Sequence, residues 1–376
     1  MQSTVVLVVG TRPNFVKAAP VLHALSKDPD ITPVLVHSGQ HFDAALSTEI
    51  LQDLSNVTPD VLFDTRDKDG WNTDAFAVQF DLFLRKNMPS LVLVFGDVDT
   101  TRIAAEVTKK NDIALGHVES GLRSFDDRMP EEANRIRTDG LSDLLFVTEQ
   151  SGLENIQKES LDADVHLVGN TMIDSLYTLE ERIADRASVI QDDMPTIVVT
   201  LHRRETITDK AVLELLLKQL TECSAQYRIL WPLHPHTKKM IESFDLSHYL
   251  EAFTMKEPAG YIDFLATVKN ATAVITDSGG IQEEATCLGV PCFTVRKSTE
   301  RPVTVEEGTN TLVPPDTLVQ KSLLTHIQGS RACEALQPDL WDGKAADRIA
   351  AIVQSYLRAQ SERTGISAIG QRSLTR

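Results

Sequence analysis

Ile113-Ala114-Leu115-Gly116-His117-Val118-Glu119-Ser120-Gly121-Leu122-Arg123, followed after a short loop by Met129-Pro130-Glu131-Glu132-Ala133-Asn134-Arg135, is the stretch that decides the fold. Residues 113–116 are an apolar run that reads as a buried parallel strand. Pro130 with two glutamates behind it reads as a helix start, because proline suits the first helical position and acids suit the positive end of the helix dipole. Strand, polar exit and helix make one βα unit. Its three carboxylates, Glu119, Glu131 and Glu132, and its two arginines, Arg123 and Arg135, therefore sit at a strand exit, where open α/β sheets bind ligands.

The same alternation runs through the whole chain. Strands are predicted at 5–9, 34–37, 91–95, 113–116, 144–147 and 165–168, and again at 196–201, 228–232, 273–276, 291–295 and 311–313. Amphipathic stretches separate them, the pattern of parallel sheets covered on both faces. At 376 residues the chain exceeds one ordinary core and fits two α/β domains, 1–170 and 171–358, with Gly169-Asn170 as the hinge. A helix over 172–184 links them, Pro20 is expected to kink the first helix, helical spacing over 345–357 predicts a last helix, and 359–376 reads as a polar, frayed tail. There is no repeat with a period of about 20–50 residues.

With 54 acidic against 37 basic side chains, the net charge of -17 opposes attraction to nucleic acid or an anionic membrane surface, so an anionic ligand needs a local positive site. Cys223, Cys287, Cys292 and Cys333 have no zinc or redox spacing and read as reduced thiols. The apolar run near the start is too short to span a bilayer and has no basic segment before it, which predicts a soluble cytoplasmic protein with no membrane partner.

Nearly every predicted strand ends in glycine, histidine, arginine or aspartate: Gly10-Thr11-Arg12-Pro13, Gly39-Gln40-His41, Gly96-Asp97, His117-Val118-Glu119, His202-Arg203-Arg204-Glu205, His234-Pro235-His236 and Asp277-Ser278-Gly279-Gly280. That regularity predicts one polar cleft between two facing sheets. Ser278-Gly279-Gly280 opens a helix whose free N–H groups suit a diphosphate, with the glycines letting it approach the backbone and Glu284 one turn on facing ribose hydroxyls. A plain capped turn reads as well from that motif alone, and Arg296 and Arg301 beyond the next strand favour the nucleotide. Arg12 and Lys17 can reach one anion, although a lone lysine on a helix is more often a solvated face. Asp97 follows a strand with no room for charge and either caps the next helix or faces the cleft; His202 either binds phosphate or is structural. His234-Pro235-His236 lacks a carboxylate at metal-ligand spacing. No Gly-x-Gly-x-x-Gly follows a strand and no P-loop motif occurs, which counts against dehydrogenases and P-loop enzymes.

In this order, and together with Gly169-Asn170 and Thr299-Glu300-Arg301-Pro302, these motifs resemble the non-hydrolysing UDP-N-acetylglucosamine 2-epimerases over nearly the whole chain. The resemblance implies two Rossmann-like doubly wound domains facing a cleft, the glycosyltransferase-B type, a homodimer, and neither nicotinamide nor metal. It implies Asp97, Glu119 and Glu131 as acid/base carboxylates, His202 as a catalytic or diphosphate-contacting residue, and Lys17 in the essential set. Arg12, Ser278, Gly279, Gly280, Glu284 and Arg301 are implied to hold UDP, and Gln40 and His41 to lie where a second UDP-sugar acts as activator. Ser120 and Asp99 depart from the family's usual residues, and the loop at 123–129 resembles a shorter variant found in epimerases of oxidised, diacetamido UDP-sugars.

The chemistry fits these residue types. The C2 proton of an N-acetylhexosamine has no carbonyl beside it, so a carboxylate near neutral pH cannot remove it until cleavage of the C1–diphosphate bond puts positive charge on the ring. Cations and a helix N-terminus stabilise the departing UDP. Inversion at C2 then needs proton carriers on two faces, which the carboxylates supply. The rival readings are a hydrolysing epimerase, a two-domain glycosyltransferase and a UDP-sugar binding protein without turnover.

Overall fold

Val5 to Val9 are all at most 1 % exposed, and their alternation explains the layering of the first half. Val5, Leu7 and Val9 face one core with Phe15, Val16 and Leu25, while Val6 and Val8 face another with Phe76, Phe80 and Leu84. A strand apolar on both faces needs helices on both sides, which a parallel sheet provides. The computed structural model describes residues 2–40, 53–54, 57–67, 70–189, 194–257, 260–330 and 335–373, with side chains described as far as 362.

The first sheet contains β1 (Ser3–Val9), β2 (Ile31–His37), β3 (Val61–Leu62), β6 (Leu91–Phe95), β7 (Leu115–Ser120), β8 (Leu144–Val147) and β9 (Asp164–Leu167). Its order is β3-β2-β1-β6-β7-β8-β9, all parallel, with a separate antiparallel hairpin of β4 (Arg66–Asp67) and β5 (Gly70–Trp71). The second sheet contains β10 (Thr196–Thr200), β11 (Arg228–Pro232), β12 (Thr254–Lys256), β13 (Ala273–Thr276), β14 (Cys292–Thr294) and β15 (Asn310–Leu312), in the order β12-β11-β10-β13-β14-β15. Both are doubly wound sheets of Rossmann type. The helices that frame the site are α1 (Arg12–Ser26), α2 (Asp99–Lys110), α3 (Pro130–Asp139), α4 (Thr171–Thr178), α5 (Tyr261–Lys269), α6 (Gly279–Leu288) and α7 (Ala345–Ser373).

Four expectations are corrected. The strand expected at 113–116 runs instead over Leu115–Ser120, because His117 and Glu119 are buried inside it with charged partners that apolar periodicity cannot reveal. The single helix expected at 172–184 is two, Thr171–Thr178 and Glu180–Ser188, so that the first packs on α1 and the second on α5. The last helix, expected in the second domain, returns to the first half, where Ile349, Val353 and Leu357 join the core around α1 and Lys27 pairs with Asp347 at 3.2 Å. It also continues through the expected frayed tail to Ser373, since alanine, arginine, glutamine and glutamate after Leu357 extend a helix already nucleated. The helix α1 passes through Pro20. Among the described residues no helix is long and apolar enough to cross a membrane, and Cys223, Cys287 and Cys292 are free and buried.

Glu149, at the exit of β8, is buried with the Ser151 hydroxyl, 2.6 Å away, donating to it, and burial outweighs this bond and pushes its pKa up to about 7. A carboxyl raised on folding is a penalty that is absent below its unfolded value of 4.5, grows as pH rises to about 7 and is constant above. Glu149→Gln should therefore be more stable than the parent at pH 8, by up to about 3 kcal/mol, with the difference vanishing near pH 4.5. Urea unfolding at both pH values checks this; equal gains at the two would show that packing, not charge, is responsible.

Candidate active site

Each sheet reverses its winding beside its first strand, between β1 and β6 and between β10 and β13, and ligand crevices open at such points. The residues leaving these four strands are Gly10 to Arg12, Gly96-Asp97, His202-Arg203 and Asp277 to Gly280. In the first half, Asn14 ties two exits together: its side-chain oxygen accepts from the N–H of Gly10 and of Thr11, both at 3.2 Å, and its amide donates to the Phe95 carbonyl at 2.9 Å. Lys17 is buried and pairs with Glu119, so it is no solvated face. Gly96 has φ +64, and a Cβ there would stand 3.1 Å from Lys17 Nζ; a side chain immediately before Asp97 would push the lysine aside.

Arg135 Nε and one terminal nitrogen lie 3.1 and 3.0 Å from Asp97 Oδ2. Burial opposes ionisation of Asp97, but Arg135, Lys17 and Arg301 outweigh it and hold the carboxyl below its ordinary value. Capping is excluded, since α2 begins after Val98 with no side-chain cap. Glu119 sits at a register shift between β7 and β8 with φ +71, a left-handed conformation that costs a non-glycine residue about 1–3 kcal/mol. The bulge aims its carboxylate at Lys17 and at Arg301, 2.5 Å away in the other half of the molecule. Glu131, half-buried in the first turn of α3, has no ion pair to a described residue. Glu132 instead holds the loop, accepting from the N–H groups of Ser124 and Phe125 at 2.9 and 3.0 Å and pairing with Arg135.

In the second half, buried Asp277 accepts from the N–H of His202 at 3.0 Å and of Arg203 at 2.9 Å. The His202 ring is 47 % exposed, with Nδ1 3.2 Å from Asp277, which leaves its other edge for a ligand. Ser278 precedes α6 without capping it, so the first-turn N–H groups can meet an anion. Gly279 has a further reason beside the expected one: a Cβ there would lie 2.4 Å from an Arg301 guanidinium nitrogen, so the missing side chain makes room for Arg301. Glu284 accepts from the Tyr261 hydroxyl at 2.7 Å, and burial pushes it up to about 7. The Arg12 guanidinium lies 6.0 Å over the same Tyr261 ring, joining the halves a second time.

Arg301 pairs with Glu119 at 2.5 Å, Glu283 at 2.6 Å and Glu300 at 2.7 Å. Around Glu300 stand Arg301, Arg296 at 2.8 Å, Arg203 at 3.4 Å and Arg135 at 3.7 Å. Burial opposes its charge, but these arginines hold the carboxyl far below its ordinary range. Burial likewise opposes the charge of Arg203, while Glu300, Glu131 and Asp97 outweigh it. Met129, from the loop before α3, lies across the cleft with its sulfur 3.5 Å from Arg296 and 3.8 Å from Arg203.

The structure thus gathers Lys17, Asp97, Glu119, Gly279 and Arg301 directly, and Arg12 with Glu284 through Tyr261. Gln40 is close by, its side-chain oxygen accepting from the Thr100 hydroxyl at 2.7 Å; His41 lies outside the described residues. Asp277 and Glu300 stood in the quoted motifs without an assigned role, Glu283 stood beside Glu284 without one, and Tyr261 had no motif to signal it. His234 accepts from the His236 N–H at 3.2 Å and caps the helix Pro235–Ser243. Among the described residues no group of three or more histidine, cysteine, aspartate or glutamate side chains is arranged to hold a metal ion.

The family model described as UDP-N-acetylglucosamine 2-epimerase matches residues 23–354. The UDP-N-acetylglucosamine 2-epimerase of Methanococcus maripaludis is 36% identical over 323 residues, 82% of this chain and 87% of the relative. The UDP-2,3-diacetamido-2,3-dideoxy-D-glucuronate 2-epimerase of Pseudomonas aeruginosa is 34% identical over 314 residues, 82% and 88%. The crystal structure of Methanocaldococcus jannaschii UDP-GlcNAc 2-epimerase in complex with UDP-GlcNAc and UDP superposes with TM-score 0.84 at 32% identity, covering 94% of this chain and 99% of that one.

Proposed function

Since the chain belongs to the UDP-N-acetylglucosamine 2-epimerase family, we infer that its cleft interconverts UDP-N-acetylglucosamine and UDP-N-acetylmannosamine. The reaction is an isomerisation: the C1–oxygen bond breaks with its electron pair leaving on UDP, and the C2 proton passes to a carboxylate, giving 2-acetamidoglucal. UDP then returns to C1 while C2 takes a proton on the opposite face. Asp97, held ionised by Arg135, Lys17 and Arg301, is suited to accept a proton, and Glu119 and Glu131 are the further carriers. The first turn of α6, with Ser278, Gly279 and Gly280, the cations Arg12, Lys17 and Arg301, and the His202 ring stabilise the leaving diphosphate, and Glu284 faces the ribose. The observation that carries this reading is the Glu119–Arg301 pair at 2.5 Å, a first-half carboxylate beside the second-half guanidinium to which this reading gives UDP.

Homodimer formation, a cytoplasmic location and activation by a second UDP-sugar near Gln40 and His41 belong to the same proposal. The last is supported by the Gln40 bond to Thr100, in the first turn of the helix that follows Asp97.

The test is incubation with UDP-N-acetylglucosamine in deuterium oxide followed by proton NMR. The expected product is UDP-N-acetylmannosamine carrying deuterium at C2, with traces of UDP. The Pseudomonas relative, nearly as similar, is the reason to run UDP-2,3-diacetamido-2,3-dideoxyglucuronate beside it. Bulk UDP release would point to hydrolysis, and no change with either sugar would overturn epimerisation.

A further inference from the structure

His117 and Asp139 form a buried pair, at 0 and 1 % exposure, that has no part in the reaction as described above. His117 Nδ1 lies 2.6 Å from Asp139 Oδ1, and its Nε2 lies 2.7 Å from the carbonyl oxygen of Gly96. A carbonyl only accepts, so Nε2 donates. Asp139 also accepts from the Gly121 N–H at 3.1 Å and pairs with Arg123 at 2.8 Å, as a carboxylate does; Nδ1 therefore donates as well. Burial opposes ionisation of Asp139, and the bonds from His117 and Arg123 outweigh it. Asp139 is the last residue of α3, where the helix dipole disfavours a negative charge, so its place there is not a matter of helix formation.

What the pair holds is informative. Gly96 precedes Asp97, while His117 and Gly121 stand two residues either side of Glu119. The other end of α3 carries Glu131, its Arg135 binds the Asp97 carboxyl, and its Asn134 donates to the Asp97 carbonyl at 2.9 Å. Asp97 and Glu119 are also tied directly, the Gly96 N–H donating to the Val118 carbonyl at 3.0 Å, and it is α3 that carries Glu131 and joins it to both.

We propose that His117 and Asp139 are positioning residues for the epimerisation, a doubly donating imidazole clamped by a carboxylate that locks the Gly96-Asp97 turn and the Glu119 bulge onto α3. This rests on the reading of Asp97, Glu119 and Glu131 as proton carriers. His117→Gln and Asp139→Asn should each lower kcat and the rate of C2 deuterium exchange about 100-fold, the loss expected when reacting groups shift by ~1 Å. KM and the dissociation constant for UDP should stay within about twofold, because the first turn of α6 and Arg301 lie in the other half and Arg12 and Lys17 stand on α1, not on the Gly96-Asp97 turn or the Glu119 bulge. Calorimetric UDP stoichiometry counts folded sites, so a loss of folding alone would lower stoichiometry and leave kcat per site unchanged, which would overturn the proposal. If neither variant folds, the parent enzyme labelled with 15N-histidine decides: one imidazole should show two slowly exchanging ring N–H signals, and their absence overturns it. Wild-type exchange rates in both variants, with Glu119→Gln inactive, would sink the positioning role alone; an active Glu119→Gln would sink the underlying reading.

Discussion

Glu119→Gln should reduce deuterium exchange at C2 by about 1,000-fold or more, within the range a positioned acid or base contributes, while UDP binds no more weakly than to the parent. The amide keeps the size and the φ of the glutamate, so the bulge and its +71° residue survive. What is lost is the capacity to take or give a proton between Lys17 and Arg301. Arg301 retains Glu283 and Glu300, and Lys17 becomes a freer partner for the diphosphate, which is why UDP affinity is not expected to fall. Proton NMR in deuterium oxide and UDP calorimetry on one preparation measure both. Exchange within tenfold of the parent would remove Glu119 from the list of proton carriers, and a tenfold weaker UDP complex would make it a binding residue.

Arg301→Met should destabilise the protein by about 3–5 kcal/mol, the cost of removing one partner from a buried ionic cluster. The losses are unequal. Glu300 keeps Arg296, and Glu119 keeps Lys17, but Glu283 has no other ion pair among the described residues, and its second oxygen already lacks a hydrogen-bond partner. Burial raises the pKa of Glu283 and Arg301 opposes that rise. Without the arginine the folded-state pKa climbs further, so the deficit should widen as pH rises above the ordinary carboxylate range, as linkage requires of a carboxyl raised on folding. Adding Glu283→Gln should recover part of the loss at the higher pH and little at the lower. Urea midpoints for parent, single and double variants decide it; a deficit independent of pH would assign the effect to packing.

Much of this protein is legible in its residue order, for a physical reason. A parallel strand covered on both faces must be continuously apolar, as residues 91–95 and 144–147 are, so its end shows wherever the first polar residue appears. Since open α/β sheets bind ligands at those ends, Arg12, Asp97, Glu119, His202 and Ser278 are recognisable as neighbours of a cleft without coordinates. Where a strand buries charge the rule fails: β7 outruns its apolar segment because His117 and Glu119 are neutralised by residues distant in the chain.

Local pattern therefore specifies the two doubly wound sheets and the rim that carries the polar residues. Which of them meet is another matter. Arg301 reaches Glu119 across 182 positions and packs where a Gly279 side chain would stand; Tyr261 joins Arg12 to Glu284; the last helix crosses back to α1. Coulomb attraction and close packing act over a few ångströms of space, whatever the separation along the chain, so those pairings exist only once both sheets are folded and face each other.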